Sequence, residues 1–204
     1  RLMEVVSSAV AKAAMDSGVA QAPIADFDEY RHKLKARLNP TTAALTNIYD
    51  LARANPKPMV FAEAEEDVAL RAAIQYREFG YGEPILVGRT EKVLEKLREL
   101  AVDDPDDWII ENSNVSDKVP AMVDYLYKRL QRRGYTERDV ARMVNQERNV
   151  FAALLVALGH GEGMITGLTR TFSQTAREVG RVLDAKPGAT PFGIHMMVGK
   201  NHTS

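Results

Sequence analysis

A chain of 204 residues, 45% hydrophobic and 27% charged, has a globular composition and is long enough for one sizeable domain plus an appendage. Its 27 basic and 28 acidic residues nearly cancel, which argues against nucleic acid or an acidic membrane as a partner; the lack of cysteine excludes disulfides, thiolate nucleophiles and thiolate metal sites. No apolar run approaches the ~20 residues of a membrane span, and the first residues lack a signal-peptide pattern, so a cytoplasmic location is expected.

Residues 1–37 read as two helices. Val5 to Met15 is Ala-rich, with Val6, Val10 and Ala14 on one face, and Asp16-Ser17-Gly18 ends it as a C-cap. Asp26 can cap a second helix, Phe27 to Leu38, whose narrow apolar stripe of Phe27, Tyr30, Leu34 and Leu38 suits a linker. Asn39-Pro40-Thr41 marks the expected boundary, because proline stops the preceding helix. Residues 1–38 are therefore expected to be linker and 39–204 the main domain.

The main domain opens with a helix, Thr42 to Ala54. Met59 to Ala62 is a short apolar run that reads as a buried strand, and Glu63 to Asp67 is an acidic entry to the helix Val68 to Phe79. Pro84 to Gly88 is a second strand, Thr90 caps the helix Glu91 to Leu100, and Trp108 to Glu111 is a third strand. Strands alternating with helices over short connections predict an α/β fold, a parallel or mixed sheet with helices on both faces. Val119 to Arg133 follows as a helix with Met122, Val123, Leu126 and Leu130 inward, and Thr136 and Asp139 begin another. Asn149 to Leu158 is apolar on nearly every side, the mark of a helix covered on more than one face. The strand-like run Pro191 to Val198 has little after it, and the chain starts at Arg1 rather than Met, so a piece of a longer protein with an incomplete sheet is expected.

The stretch Glu162 to Leu183 carries the chemistry of most interest. It reads as a strand, Gly163 to Gly167, a polar turn, Leu168 to Thr171, and a helix reaching about Leu183. Phe172, Ala176, Val179 and Leu183 share a helical face expected to enter the core, with Ser173, Arg177 and Arg181 on an adjacent stripe. Gly167, Thr169, Arg170 and Thr171 crowd the turn where the first helical N–H groups lack partners. Two readings stand. One is a phosphate or carboxylate site; the other is an ordinary strand, a Thr-capped turn and a surface helix with exposed arginines.

Other candidates are weaker. His32, His160, His195 and His202 are far apart, without the spacing of a metal site. Glu63, Glu65, Glu66 and Asp67 lie just past a strand end, where α/β enzymes place catalytic groups, and equally where acidic residues favour a helix N-terminus. The acidic cluster Asp103 to Asp107 reads as a solvated turn. No Walker-type loop is present, and Gly80-x-Gly82 lacks the third glycine of a dinucleotide fingerprint.

VFAEAEEDVALRAAIQYREFGYGEPILVGR, from Val60 to Arg89, resembles the opening of the phosphate acetyltransferase-like domain at the C-terminal end of large bacterial NADP-dependent malic enzymes. The segment from Asn149 to Val198 continues the resemblance, and Ala9 to Leu34 looks like the end of the malic domain and its linker. The family stretch matching Ile165 to Arg177 reads approximately V-S-G-A-V-H-T-T-A-D-T-L-R. Gly167, Thr171, Thr175 and Arg177 keep its residue types and Thr166 keeps a hydroxyl; Arg170 replaces a histidine, Phe172 a threonine and Gln174 an aspartate.

The resemblance implies one lobe of the phosphate acetyltransferase-like, isocitrate dehydrogenase-like fold. It implies an acyl-CoA or phosphate site at Thr166, Gly167, Thr169, Arg170, Thr171, Ser173, Thr175 and Arg177, and neither catalytic residues nor metal ligands in this chain. The parent would convert malate to pyruvate with NADP and a divalent metal, Mg or Mn, as a homo-oligomer whose C-terminal domain senses acetyl-CoA or a related acyl-CoA. The alternatives are a scaffold without ligand and an active phosphate acetyltransferase.

Overall fold

A computed structural model describes residues 2–20, 22, 24, 26–27, 30, 40–190 and 193. The chain divides into two compact units, one of residues 52–191 and one of the remainder. In the second of these, α1 (Leu2–Asp16) ends where Gly18 turns left-handed at φ +73°, its N–H donating to Met15 O at 3.1 Å. This is the C-cap expected of Asp16-Ser17-Gly18. The expected helix Phe27 to Leu38 and the strand-like run Pro191 to Val198 fall largely outside the described residues. The helix α2 (Pro40–Ala54) leads into the larger unit.

The larger unit is built on β1 (Met59–Phe61), β2 (Pro84–Val87), β3 (Ile109–Glu111) and β4 (Gly163–Ile165), all parallel in the order β3-β2-β1-β4. Parallel pairing requires crossovers, and α3 (Asp67–Glu78) and α4 (Thr90–Glu99) supply the first two. A longer excursion through α5 (Val119–Leu130), α6 (Glu137–Gln146) and α7 (Arg148–Ala157) carries the chain back across the sheet to β4, which is followed by α8 (Phe172–Gly180). The direction of winding therefore reverses between β1 and β4. Crevices at such reversals, beyond the carboxyl ends of the strands, are where open α/β sheets place ligands.

Alternation along the strands decides which helix covers which face. Val60, Ala62, Ile85 and Val87 point into one core with Met122, Leu126 and Leu130 of α5, Val140 and Val144 of α6 and the buried run Val150 to Leu155 of α7. Phe61 and Leu86 point the other way, to Leu70 and Ala73 of α3, Val93 and Leu97 of α4, and Trp108. Both faces are covered, as continuous apolar strands demand. Every residue from Asn149 to Leu155 is buried, which fits a helix with no polar side.

Boundaries moved by one to three residues where capping competed with pattern. Thr90 is the first residue of α4 rather than its cap; Arg89 holds the cap position without a side-chain hydrogen bond. Thr136 does cap α6, accepting from Asp139 N at 3.2 Å while the Asp139 carboxylate accepts from Thr136 N at 3.1 Å. Losing this reciprocal pair is worth roughly 1 kcal/mol. Thr136→Ala is thus expected to lower the midpoint of thermal unfolding by about 2 to 4 °C, read by circular dichroism, with no change in ligand affinity. Among the described residues no helix is long and apolar enough to cross a membrane.

Candidate functional site

At the carboxyl end of β1 the chain turns through Ala62 into Glu63, whose residue is 1% exposed. Its carboxylate crosses the crevice to the turn after β4. There Oε2 accepts from the N–H groups of Gly167 at 2.9 Å and Leu168 at 2.7 Å, and Oε1 accepts from Thr169 N at 2.9 Å and from the Thr169 hydroxyl. Successive N–H groups aimed at one point make an anion cradle, and here the anion is the chain's own. Burial opposes ionisation of Glu63, yet the bonds from Thr169, Leu168 and Gly167 outweigh it and hold the carboxyl below its ordinary range. The expected free donors of Gly167 and Thr169 are thus already engaged. Glu63 does not serve the N-terminus of α3, one of the roles its sequence position suggested, since Glu66 is the cap residue of α3 and Asp67 its first residue.

A second internal network lies beneath this turn. Asn149, fully buried at the start of α7, accepts from Thr166 Oγ1 at 2.6 Å through Oδ1 and donates from Nδ2 to Glu178 Oε2 at 2.7 Å. Gln174 Nε2 donates to the other Glu178 oxygen at 2.9 Å. Thr166 is thereby committed within the chain, and Thr175 Oγ1 is buried without a partner among the described residues. The network also rotates α8 from the expected orientation. Phe172, expected in the core, is 87% exposed, and Ala176 is exposed as well; the buried positions are Glu178 and, just past the helix, Val182. Val179 and Leu183 do pack against the core from its edge. Amide donors make the burial of Glu178 tolerable, and with Glu178 turned inward the N-terminal end of the Phe172 stripe must face outward.

The remaining predicted residues come together. Arg170, Thr171, Ser173 and Arg177 line one cavity of about 490 Å³, joined by Gln146, Glu147 and Arg148 from the α6–α7 junction and by Gln174, Glu178 and Arg181. Two helix N-termini meet here. Thr171 caps α8, accepting from Gln174 N at 3.4 Å, while Glu147, the cap residue of α7, makes no side-chain bond to that helix. Instead Glu147 accepts from Arg181 Nη1 at 2.8 Å. Arg148, Arg170 and Arg177 have no carboxylate partner among the described residues, so even with Glu178 in its lining and Arg181 paired to Glu147 the cavity carries net positive charge beside the N-terminal donors of α7, which no side chain caps. Such an arrangement attracts phosphate. Arg148 was missed, because the apolar run was read as starting at Asn149; Glu63 and Asn149 carry no local signal for their partners 104 and 17 residues away.

A second cavity of about 230 Å³ adjoins the first, sharing Gln146 and Arg148. It sits beyond the ends of β2 and β3, against Glu65 and Arg89. Glu65 accepts from Arg89 Nε at 2.9 Å, Nη2 at 2.8 Å and the backbone N at 3.0 Å, and this bidentate pairing carries its carboxyl down to about 2. Glu65 and Arg89 therefore cancel. Among the described residues no group of three or more metal-ligating side chains occurs.

Comparison with known proteins adds relatives to this geometry. A NADP-dependent malic enzyme of Rhizobium meliloti is 43% identical over 204 residues, covering 100% of this chain and 27% of the relative. A probable NADP-dependent malic enzyme of Rickettsia prowazekii is 38% identical over 99% of this chain and 27% of its own length. The chain thus spans about a quarter of the malic enzymes it matches. A solved phosphotransacetylase of Staphylococcus aureus superposes with a TM-score of 0.69 and 25% identity over 79% of this chain and 48% of its own. The phosphate acetyl/butaryl transferase model matches residues 43–203, the sheet and both cavities included, and by that match the chain belongs to this family.

Proposed function

We propose that this chain is the acyl-CoA-sensing regulatory domain of a NADP-dependent malic enzyme, which oxidises and decarboxylates malate to pyruvate with NADP and a divalent metal held elsewhere in the polypeptide. The observation that carries this reading is the cavity where the N-termini of α7 and α8 converge with Arg148, Arg170 and Arg177 unpaired. Three guanidinium groups and two helix ends suit the phosphates of acetyl-CoA or a related acyl-CoA. The malic enzyme relatives support the parent activity, and the phosphotransacetylase likeness supports an acyl-CoA ligand. Regulation follows from linkage: a ligand that binds one state of the assembly better shifts its population by that difference in affinity.

Arg177→Ala in the intact protein is expected to weaken acetyl-CoA binding roughly tenfold to a hundredfold, the effect of losing about 1.5 to 3 kcal/mol of charge-assisted hydrogen bonding. Arg181→Ala is expected to matter less, because Arg181 is already bound to Glu147. Calorimetric titration of both variants checks this, and equal affinity of Arg177→Ala and wild type removes Arg177 from the site. A scaffold role is the second reading. It is favoured by Phe172, Leu168 and Ile165, which are 87%, 53% and 44% exposed and fit an interface between copies of a homo-oligomer.

A further inference from the structure

The two cavities differ in chemistry and meet at Gln146 and Arg148. On one side stand Arg148, Arg170 and Arg177 without partners. On the other the only fixed charges besides Arg148 are Glu65 and Arg89, which cancel. What remains there is amide. The side chains of Asn114, Asn145 and Gln146 make no hydrogen bond among the described residues, and Asn112 uses only its oxygen, accepting from Asn114 N at 3.1 Å. Ser113 donates to the backbone oxygen of Asn145 at 3.0 Å, which ties the loop after β3 to the end of α6 and holds the walls of this cavity together. Unused amides offer donors and acceptors in equal measure. They match a neutral group rich in both, such as a nucleobase, a ribose or a secondary amide, and they repay a second phosphate poorly.

We infer that the two cavities form one elongated, two-part binding groove, in which phosphate lies among Arg148, Arg170 and Arg177 while the neutral, hydrogen-bonding portion of a nucleotide-type ligand lies among Asn112, Asn114, Asn145 and Gln146. This deepens the acyl-CoA reading and rests on it for the identity of the ligand, though not for the division of labour. Specificity then resides in the amide half. The arginines attract any polyphosphate, whereas only a ligand long enough to pass Arg148 reaches the amides.

The test uses the intact protein, calorimetric titration and three probes: acetyl-CoA, ADP and inorganic pyrophosphate. Asn114→Ala/Asn145→Ala is a suitable variant because both side chains are exposed and unbonded, so its fold is expected to survive. Losing hydrogen bonds from two amides is expected to weaken acetyl-CoA and ADP roughly tenfold and to leave pyrophosphate unchanged, whereas Arg177→Ala weakens all three. If acetyl-CoA fails to bind wild type while ADP binds and shows this pattern, the acyl-CoA reading falls and the two-part groove stands. If the double variant binds acetyl-CoA and ADP as wild type does, or loses pyrophosphate in the same proportion, the groove is overturned and the acyl-CoA reading stands. Binding of no probe by wild type overturns both.

Discussion

Glu63→Ala is expected to lower the melting temperature by about 10 °C. The variant takes from the N–H groups of Gly167, Leu168 and Thr169 the carboxylate that gathers this exposed turn over the end of β1. Each lost hydrogen bond to the charged carboxylate is worth about 1.5 to 3 kcal/mol, and water that reaches the freed N–H groups brings the sum down to roughly 3 to 5 kcal/mol. Glu63→Gln keeps the shape but turns an NH₂ toward donors, so it is expected to lose about half as much. Small carboxylates supply a chemical check, since formate can enter the space left by alanine. It should raise the midpoint of Glu63→Ala and leave wild type unmoved.

The pH dependence has a definite sign. The folded Glu63 carboxyl titrates below its ordinary value, so its contribution is complete above the unfolded value near 4.5 and fades as pH falls through the lower folded value. The gap between wild type and Glu63→Ala in urea unfolding should therefore be wide at pH 7 and should shrink progressively as pH falls below about 4.5. A gap that stays constant over that range would show that the carboxylate is not what the turn binds.

How much of this was legible beforehand depends on the range of the signal. The runs Met59 to Ala62 and Pro84 to Gly88 announced buried parallel strands because both of their faces are covered, so no polar residue interrupts them. Thr136 and Asp139 announced the start of α6 because a capping box is complete within four residues. The contacts that build the site are not local. Nothing near Glu63 says that its carboxylate fills a turn 104 residues later, and a rule based on neighbours alone assigns it to the helix that follows. The same limit explains α8. Helical spacing finds the stripe Phe172, Ala176, Val179 and Leu183, but the side that turns inward is decided by Asn149, whose amide makes a buried place for Glu178. The convergence of Arg170, Thr171, Ser173 and Arg177 was legible because one helix start and one helix face carry all four. Arg148, from another helix start, reaches them only through the long return of the chain to β4.

Asn149→Asp is expected to destabilise the protein by roughly 4 kcal/mol at pH 8 while changing no atom's size. Asn149 is fully buried and its Nδ2 lies 2.7 Å from Glu178 Oε2, so the substitution removes a donor and sets a second carboxylate in its place. Two unit charges about 4 Å apart repel by about 4 kcal/mol at an effective dielectric constant near 20. The pair escapes by holding one proton between them, which raises the pKa of one carboxyl above its unfolded value. A raised carboxyl carries its penalty at high pH and sheds it as pH falls through the folded value. Urea unfolding of Asn149→Asp should therefore approach wild type near pH 5 and fall away toward pH 8. Asn149→Ala separates charge from lost hydrogen bonding: it leaves Glu178 with only the Gln174 amide and Thr166 without its acceptor, a deficit of roughly 2 kcal/mol. That deficit should be nearly constant over the same range, and a parallel pH profile for the two variants would refute the repulsion. The consequence for binding is equally specific. Glu178 sets the rotation of the helix that carries Ser173 and Arg177, so Asn149→Asp should also weaken acetyl-CoA binding more at pH 8 than at pH 5.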